Sequence, residues 1–177
     1  IKYYVNYFMS KNSSDVVITS ALRTPIGRYR GSLKNLSASK LGSIAIKEVI
    51  YKSKLDIEEI DEVIMGHVLT SGLGQNPARQ ASIGAGVPVS KPAYIINQVC
   101  GSGLRSVVSG YQSIKLGENQ IVIAGGQENM SRANHAIYYR EDKKFSENKL
   151  LDTMIKDGLL DSFNDYHMGV TAENVAD

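Results

Sequence analysis

The sequence predicts an α/β protein in which a mostly parallel sheet is covered by helices. Short apolar runs at 62–68, 93–99 and 121–124 alternate with stretches whose apolar residues recur at helical spacing, the pattern of βαβ units. Within those runs successive residues, not alternate ones, are apolar, as in strands covered on both faces.

Taken in order, 16–20 is a β-branched run that reads as the first strand and enters a turn punctuated by Pro25 and Gly27. Ser37 is placed to cap a helix over 38–52, with Leu41, Ile44, Ala45 and Val49 as its stripe and Ile46 and Ile50 widening it. After an acidic turn at 56–59, the strand at 62–68 centres on Val63, Ile64 and Met65. His67, near its end, reads as a hydrogen-bonded histidine at a sheet edge, because no neighbouring acidic residue is there to orient it. Asn76 and Pro77 form an N-cap and N1 pair, so 78–83 is a short helix ending at Gly84 or Gly86.

The strand at 93–99 hands over at Cys100 to a helix opened by Gly101, Ser102 and Gly103. Leu104, Val107, Val108, Tyr111 and Ile114 recur along it, and Ser102, Ser106, Ser109, Gly110 and Ser113 give it a small-residue face opposite. Only Arg105 is charged before Lys115, so the helix is expected between two layers with a close neighbour on its small side. Gly117 closes it, and 121–124 is a strand ending in Gly125 and Gly126. Further on, Leu150, Leu151, Met154 and Ile155 suggest a short amphipathic helix stopping at Gly158, and Thr171 is placed to cap a last helix.

Composition narrows the function classes. At 177 residues the chain is long enough for one domain with a sizeable core, and 42% hydrophobic with 21% charged residues is a globular balance. A net charge of +2 gives no electrostatic case for nucleic acid. One cysteine makes no internal disulfide and three scattered histidines give no zinc spacing, which suggests a reducing, cytoplasmic compartment. The aromatic run from Tyr3 to Phe8 is too short and polar to span a membrane. Residues 1–14 read as an extension outside the fold, with Met9 resembling a natural start and 1–8 of non-native origin.

The chemistry centres on Cys100. Free N–H groups and the positive end of the macrodipole stabilise an anion at a helix N-terminus, and a thiol placed there becomes a nucleophile near neutral pH. Gly101 and Gly103 let an acyl group and its carrier approach the backbone. Ligands of parallel sheets bind outside the strands' carboxyl ends, where Cys100 and 125–129 both fall. A buried, inert thiol is the alternative reading. A dinucleotide fingerprint fails, because its third glycine position is Ser106 and no acidic residue ends a following strand at the required distance.

Five stretches then stand in one order along the chain: Arg23-Thr24-Pro25-Ile26-Gly27, Gly74-Gln75-Asn76-Pro77-Ala78-Arg79-Gln80, Asn97-Gln98-Val99-Cys100-Gly101-Ser102-Gly103, Gly125-Gly126-Gln127-Glu128-Asn129-Met130-Ser131 and Tyr166-His167-Met168-Gly169-Val170-Thr171-Ala172-Glu173-Asn174. In these the chain resembles the N-terminal half of the thiolase family, in the group that transfers acetyl from acetyl-CoA. The resemblance implies a layered fold, with 15–130 as its first βαβαβαβ half, 131–177 as part of an inserted loop domain that covers coenzyme A, and the C-terminal half absent from these residues.

It also implies a Claisen exchange between two coenzyme A thioesters, with acetyl-CoA and acetoacetyl-CoA as substrates, no metal and no further cofactor. Cys100 would accept the acyl group, and its backbone N–H would be one oxyanion donor. Leu159, His167 and Met168 would line the pantetheine and acyl pocket, Met168 after His167 favouring a short acyl group. Without the resemblance, Leu159 and Met168 read as core and His167 as a capped turn residue. A homo-oligomer, dimer or tetramer, is implied, with no nucleic acid or membrane partner.

The stretch 131–135 is looser than the family's, so His135 receives no role. The family's activating histidine, second cysteine and oxyanion asparagine belong to the C-terminal half, and this sequence has no second cysteine. The chain alone is therefore expected to be catalytically incompetent, and either to associate through the small-residue face of the Cys100 helix or to be a piece of a longer protein. The other classes are a non-catalytic thiolase-fold binding or assembly fragment, a longer-chain 3-ketoacyl-CoA thiolase, and a ketoacyl synthase; the stretches at 74–80 and 166–174 speak against the last.

Overall fold

The computed structural model describes residues 15–140 and 149–176, so the expected extension at 1–14 lies outside the described residues. Ala38–Ser53 (α1) begins where Ser37 Oγ accepts the N–H of Lys40 at 3.1 Å. Pro77–Ala85 (α2) begins where Asn76 Oδ1 accepts that of Arg79, also at 3.1 Å. Each cap gives a partner to an N–H that the first helical turn cannot satisfy internally. Gly86 and Gly117, at positive φ, end α2 and Ser102–Leu116 (α3).

Glu62–Gly66 (β1), Ala93–Ile96 (β2) and Val122–Gly126 (β3) pair in parallel in the order β2-β1-β3, with Val63 level with Ala93 and Ile123. The most deeply buried strand takes the centre, and everything in β1 after Glu62 is buried. The chain reaches β2 through α2 and returns across β1 to β3 through α3. Right-handed crossovers in opposite directions put the two helices on opposite faces. On one face Val63, Met65 and Ile123 pack with Ile46 of α1 and with Ala78, Ala81 and Ala85 of α2. Strand alternation turns Ile64 and Ala124 the other way, where Gly110 of α3 lies against Val122 and Ala124.

Several expectations are corrected. The run at 16–20 forms no ladder with any described strand, and Val17 and Ile18 are 69% and 76% exposed. Strand propensity describes fit to a half-buried pleated surface, and the run has no such surface here; it forgoes the roughly 1.5–3 kcal/mol that burying each such side chain contributes. Among the described residues the sheet therefore has three strands, and the β2 ladder ends at Ile96, before the turn that presents Cys100. The small-residue face of α3 needs no outside partner, since Ser102, Ser106, Gly110 and Ser113 are buried, with Ser106 Oγ donating to Gly125 O at 2.7 Å. Its exposed face is the larger one, including Leu104 and Tyr111.

After Asn129, the turn Met130–Arg132 leads to His135–Ala136 (β4), which pairs antiparallel with Leu151–Asp152 (β5). Leu151 is thus in a ladder and not a helix; the helical part is one wide π-turn, Met154–Leu159, that runs through Gly158. Met168–Ala176 (α4) starts three residues before Thr171, because His167 Nδ1 accepts the N–H of Gly169 at 2.9 Å and serves the first turn. Among the described residues no helix is long and apolar enough to cross a membrane.

Candidate active site

Beyond β2 the chain makes a tight turn whose hydrogen bonds aim Cys100. Asn97 Oδ1 accepts the N–H of Val99 at 3.0 Å, and Val99 adopts φ +46°, a left-handed conformation that a β-branched residue rarely takes. Ser102 Oγ clamps the turn from the helix side, accepting from Gln98 N at 2.8 Å and donating to Val99 O at 2.5 Å. Cys100 emerges as a free, exposed thiol, one residue before Gly101, the N-cap of α3. A Cβ on Gly66 would stand 2.4 Å from the Ser102 carbonyl carbon, so only glycine lets β1 meet the start of α3 this closely. The contact holds the thiol over the carboxyl ends of the strands.

Cys100 lies on the wall of a cavity of about 860 Å³. Its other walls are the 22–29 segment, the residues following β1 and β3, and the π-turn with Met154 and Leu159. Arg23, Arg28 and Lys34 line it, against Glu128 as the only carboxylate among the described residues, a balance that favours an anionic ligand. Among the described residues no group of three or more histidine, cysteine or acidic side chains is placed to hold a metal ion.

Of the residues expected at the site, Cys100 and Leu159 share this cavity, whereas His167 and Met168 do not line it. His167 bridges to Leu160 in antiparallel fashion and caps α4, and Met168 is the first residue of that helix.

His67, by contrast, is not at a sheet edge. It directly follows the central strand, is 1% exposed, and lines the same cavity as Cys100. Its Nε2 is 3.2 Å from Glu128 Oε1, and its Nδ1 is 3.3 Å from Gln127 Nε2, which also donates to Pro77 O at 3.1 Å. Glu128 Oε2 accepts the N–H groups of Val68 at 2.9 Å and Leu69 at 3.3 Å. The acidic partner stands 61 positions along the chain, outside any local pattern. One signal could have found it: in a parallel pairing of β1 with β3, residues just past the two strands arrive side by side, as Gly66 and Gly126 do.

Fold and cavity together define an α/β protein that presents a cysteine at a strand-to-helix junction. The family model described as the thiolase N-terminal domain matches residues 16–177, and the chain belongs to that family. Over 160 residues it is 56% identical to the acetyl-CoA acetyltransferase of Paracoccus denitrificans, a match covering 90% of this chain and 41% of that protein. Over 168 residues it is 52% identical to the cytosolic acetyl-CoA acetyltransferase of Rattus norvegicus, covering 95% and 42%. The crystal structure of the Acat5 thiolase from Ascaris suum in complex with coenzyme A superposes with a TM-score of 0.85 at 41% identity, covering 92% of this chain and 42% of that one. The chain thus spans about 42% of the length of these relatives.

Proposed function

We propose that these residues supply the acyl-accepting half of an acetyl-CoA acetyltransferase. The observation that carries the reading is the exposed Cys100 thiol at the head of α3, on the wall of a large cavity rich in positive charge. In the condensing direction the Cys100 thiolate attacks the carbonyl carbon of acetyl-CoA, the bond from that carbon to the coenzyme A sulfur breaks, and the departing thiolate takes a proton. A second acetyl-CoA, deprotonated at its methyl carbon, attacks the acyl-enzyme, releasing acetoacetyl-CoA and returning the Cys100 thiolate. Two half-reactions through one covalent intermediate give ping-pong kinetics. The backbone N–H of Cys100 is one donor to the oxyanion in both, and Leu159 flanks the acyl carrier.

Arg23, Arg28 and Lys34 suit a carrier bearing phosphates. The names of the relatives support acetyl-CoA as the thioester, and that of the rat relative supports a cytosolic setting; a homo-oligomer is carried by family resemblance alone. The base that deprotonates the second substrate comes, by family resemblance, from the C-terminal half, so the chain alone binds coenzyme A thioesters without turning them over. In the protein isolated from its source, brief incubation with acetyl-CoA followed by acid quenching leaves one acetyl group on Cys100 by peptide mass spectrometry. Acetyl on another residue, or none, overturns the proposal, as does turnover by a Cys100→Ser variant.

A further inference from the structure

We infer that His67 and Glu128 are a positioning pair for the Cys100 site, fixing the wall against which the acyl thioester lies; the inference rests on the function proposed above. Pro77 O and Gln127 settle the tautomer of the imidazole. Pro77 O can only accept, so the Gln127 atom 3.1 Å from it is the amide nitrogen, and the second hydrogen of that NH2 group faces His67 Nδ1 at 3.3 Å. Nδ1 is therefore an acceptor and the ring proton is on Nε2, facing Glu128 Oε1 at 3.2 Å.

Nε2 and Oε1 are both buried, and among the described residues neither makes an aligned hydrogen bond with any other atom. At 3.2 Å their own contact is also off the hydrogen-bond axis, so it acts as attraction between an N–H dipole and a carboxylate.

The other carboxylate oxygen carries the arrangement into the wall. It accepts the N–H groups of Val68 and Leu69, and the 6% exposed Leu69 side chain reaches to 3.4 Å from where a Cβ on Gly158 would stand, beside Leu159. The path runs from the imidazole through the carboxylate and Leu69 to the π-turn, and none of its hydrogen bonds or charge contacts is made to Cys100. Its loss is thus read in substrate binding and not in bond making.

Glu128→Gln keeps the shape, but whichever way the amide is turned, its NH2 meets either the Nε2–H or the two backbone N–H groups. In the protein expressed from its complete gene, E128Q is expected to raise KM for acetoacetyl-CoA about tenfold, with kcat within about a factor of two. His67→Leu does the same, and His67→Gln, which restores an N–H donor toward Glu128, recovers most of the loss. The inference is overturned if E128Q leaves KM unchanged, if kcat falls instead, or if His67→Gln is as impaired as His67→Leu. A parent protein whose Cys100 takes up no acetyl group sinks the proposed function before any variant is compared, so the two failures are told apart.

Discussion

At Val99 the chain accepts a backbone conformation that its own side chain disfavours. A left-handed, non-glycine residue costs about 1–2 kcal/mol, and more crowding follows when the side chain is branched at Cβ. One hydrogen bond accepted and one donated by Ser102 Oγ, with a third accepted by Asn97 Oδ1, hold the turn, so the strain is the cost of aiming the next residue, Cys100, into the cavity. Val99→Gly removes the crowding and loses under 1 kcal/mol of it again through the greater freedom of glycine in the unfolded chain. The expected outcome is a net gain in urea-unfolding stability of about 1 kcal/mol, together with roughly tenfold slower acetylation of Cys100 as its aim loosens. Equal or faster acetylation in the glycine variant would show that the strained turn does not serve the thiol.

Two glycines test how the elements meet. A Cβ on Gly66 would stand 2.4 Å from backbone of Ser102, which no side-chain rotation relieves, whereas a Cβ on Gly110 would meet Val122 Cγ1 at 3.1 Å, a methyl that can shift. Gly66→Ala must therefore part β1 from α3 and is expected to cost about 3 kcal/mol or more in chemical denaturation. Gly110→Ala offsets its crowding with the roughly 1 kcal/mol of helix propensity that alanine gains over glycine, and should be close to neutral. Comparable losses in both would mean that α3 can slide on the sheet. The elements themselves were largely legible: caps at Ser37 and Asn76 and stops at Gly86 and Gly117 are local chemistry, written where they act. Readings that needed a partner elsewhere failed. The run at 16–20 has strand composition without a neighbouring strand, and Leu151, at helical spacing from Met154 and Ile155, joins a ladder set by 135–136.

On the scale of the whole molecule, the site was half legible for the same reason. Cys100 announces itself at a strand-to-helix junction, but the pairing of His67 with Glu128 exists only because β1 and β3 run parallel and in register. At the opposite end of that strand pair, two adjacent carboxyls respond to acid in opposite senses. Asp61 Oδ2 accepts the N–H groups of Gln120 at 2.7 Å and Ile121 at 2.9 Å, and these bonds, that of Ile121 foremost, hold its carboxyl below the ordinary value. Its contribution is complete above the unfolded value of about 4 and is lost as pH falls through the folded one. Burial pushes the neighbouring Glu62 up, although Asn119 Nδ2 donates to it at 3.0 Å, so its ionised form weakens the fold and its protonation in acid strengthens it. Asp61→Asn should lose about 1 kcal/mol at neutral pH, discounted for the solvent around this side chain, and should flatten the decline of stability below about pH 4. Glu62→Gln, which keeps an acceptor for Asn119, should be more stable than the parent at neutral pH and decline more steeply on acidification, because the compensating protonation is gone. Urea unfolding of both variants across that range decides it: profiles parallel to the parent's would mean that neither carboxyl is linked to folding.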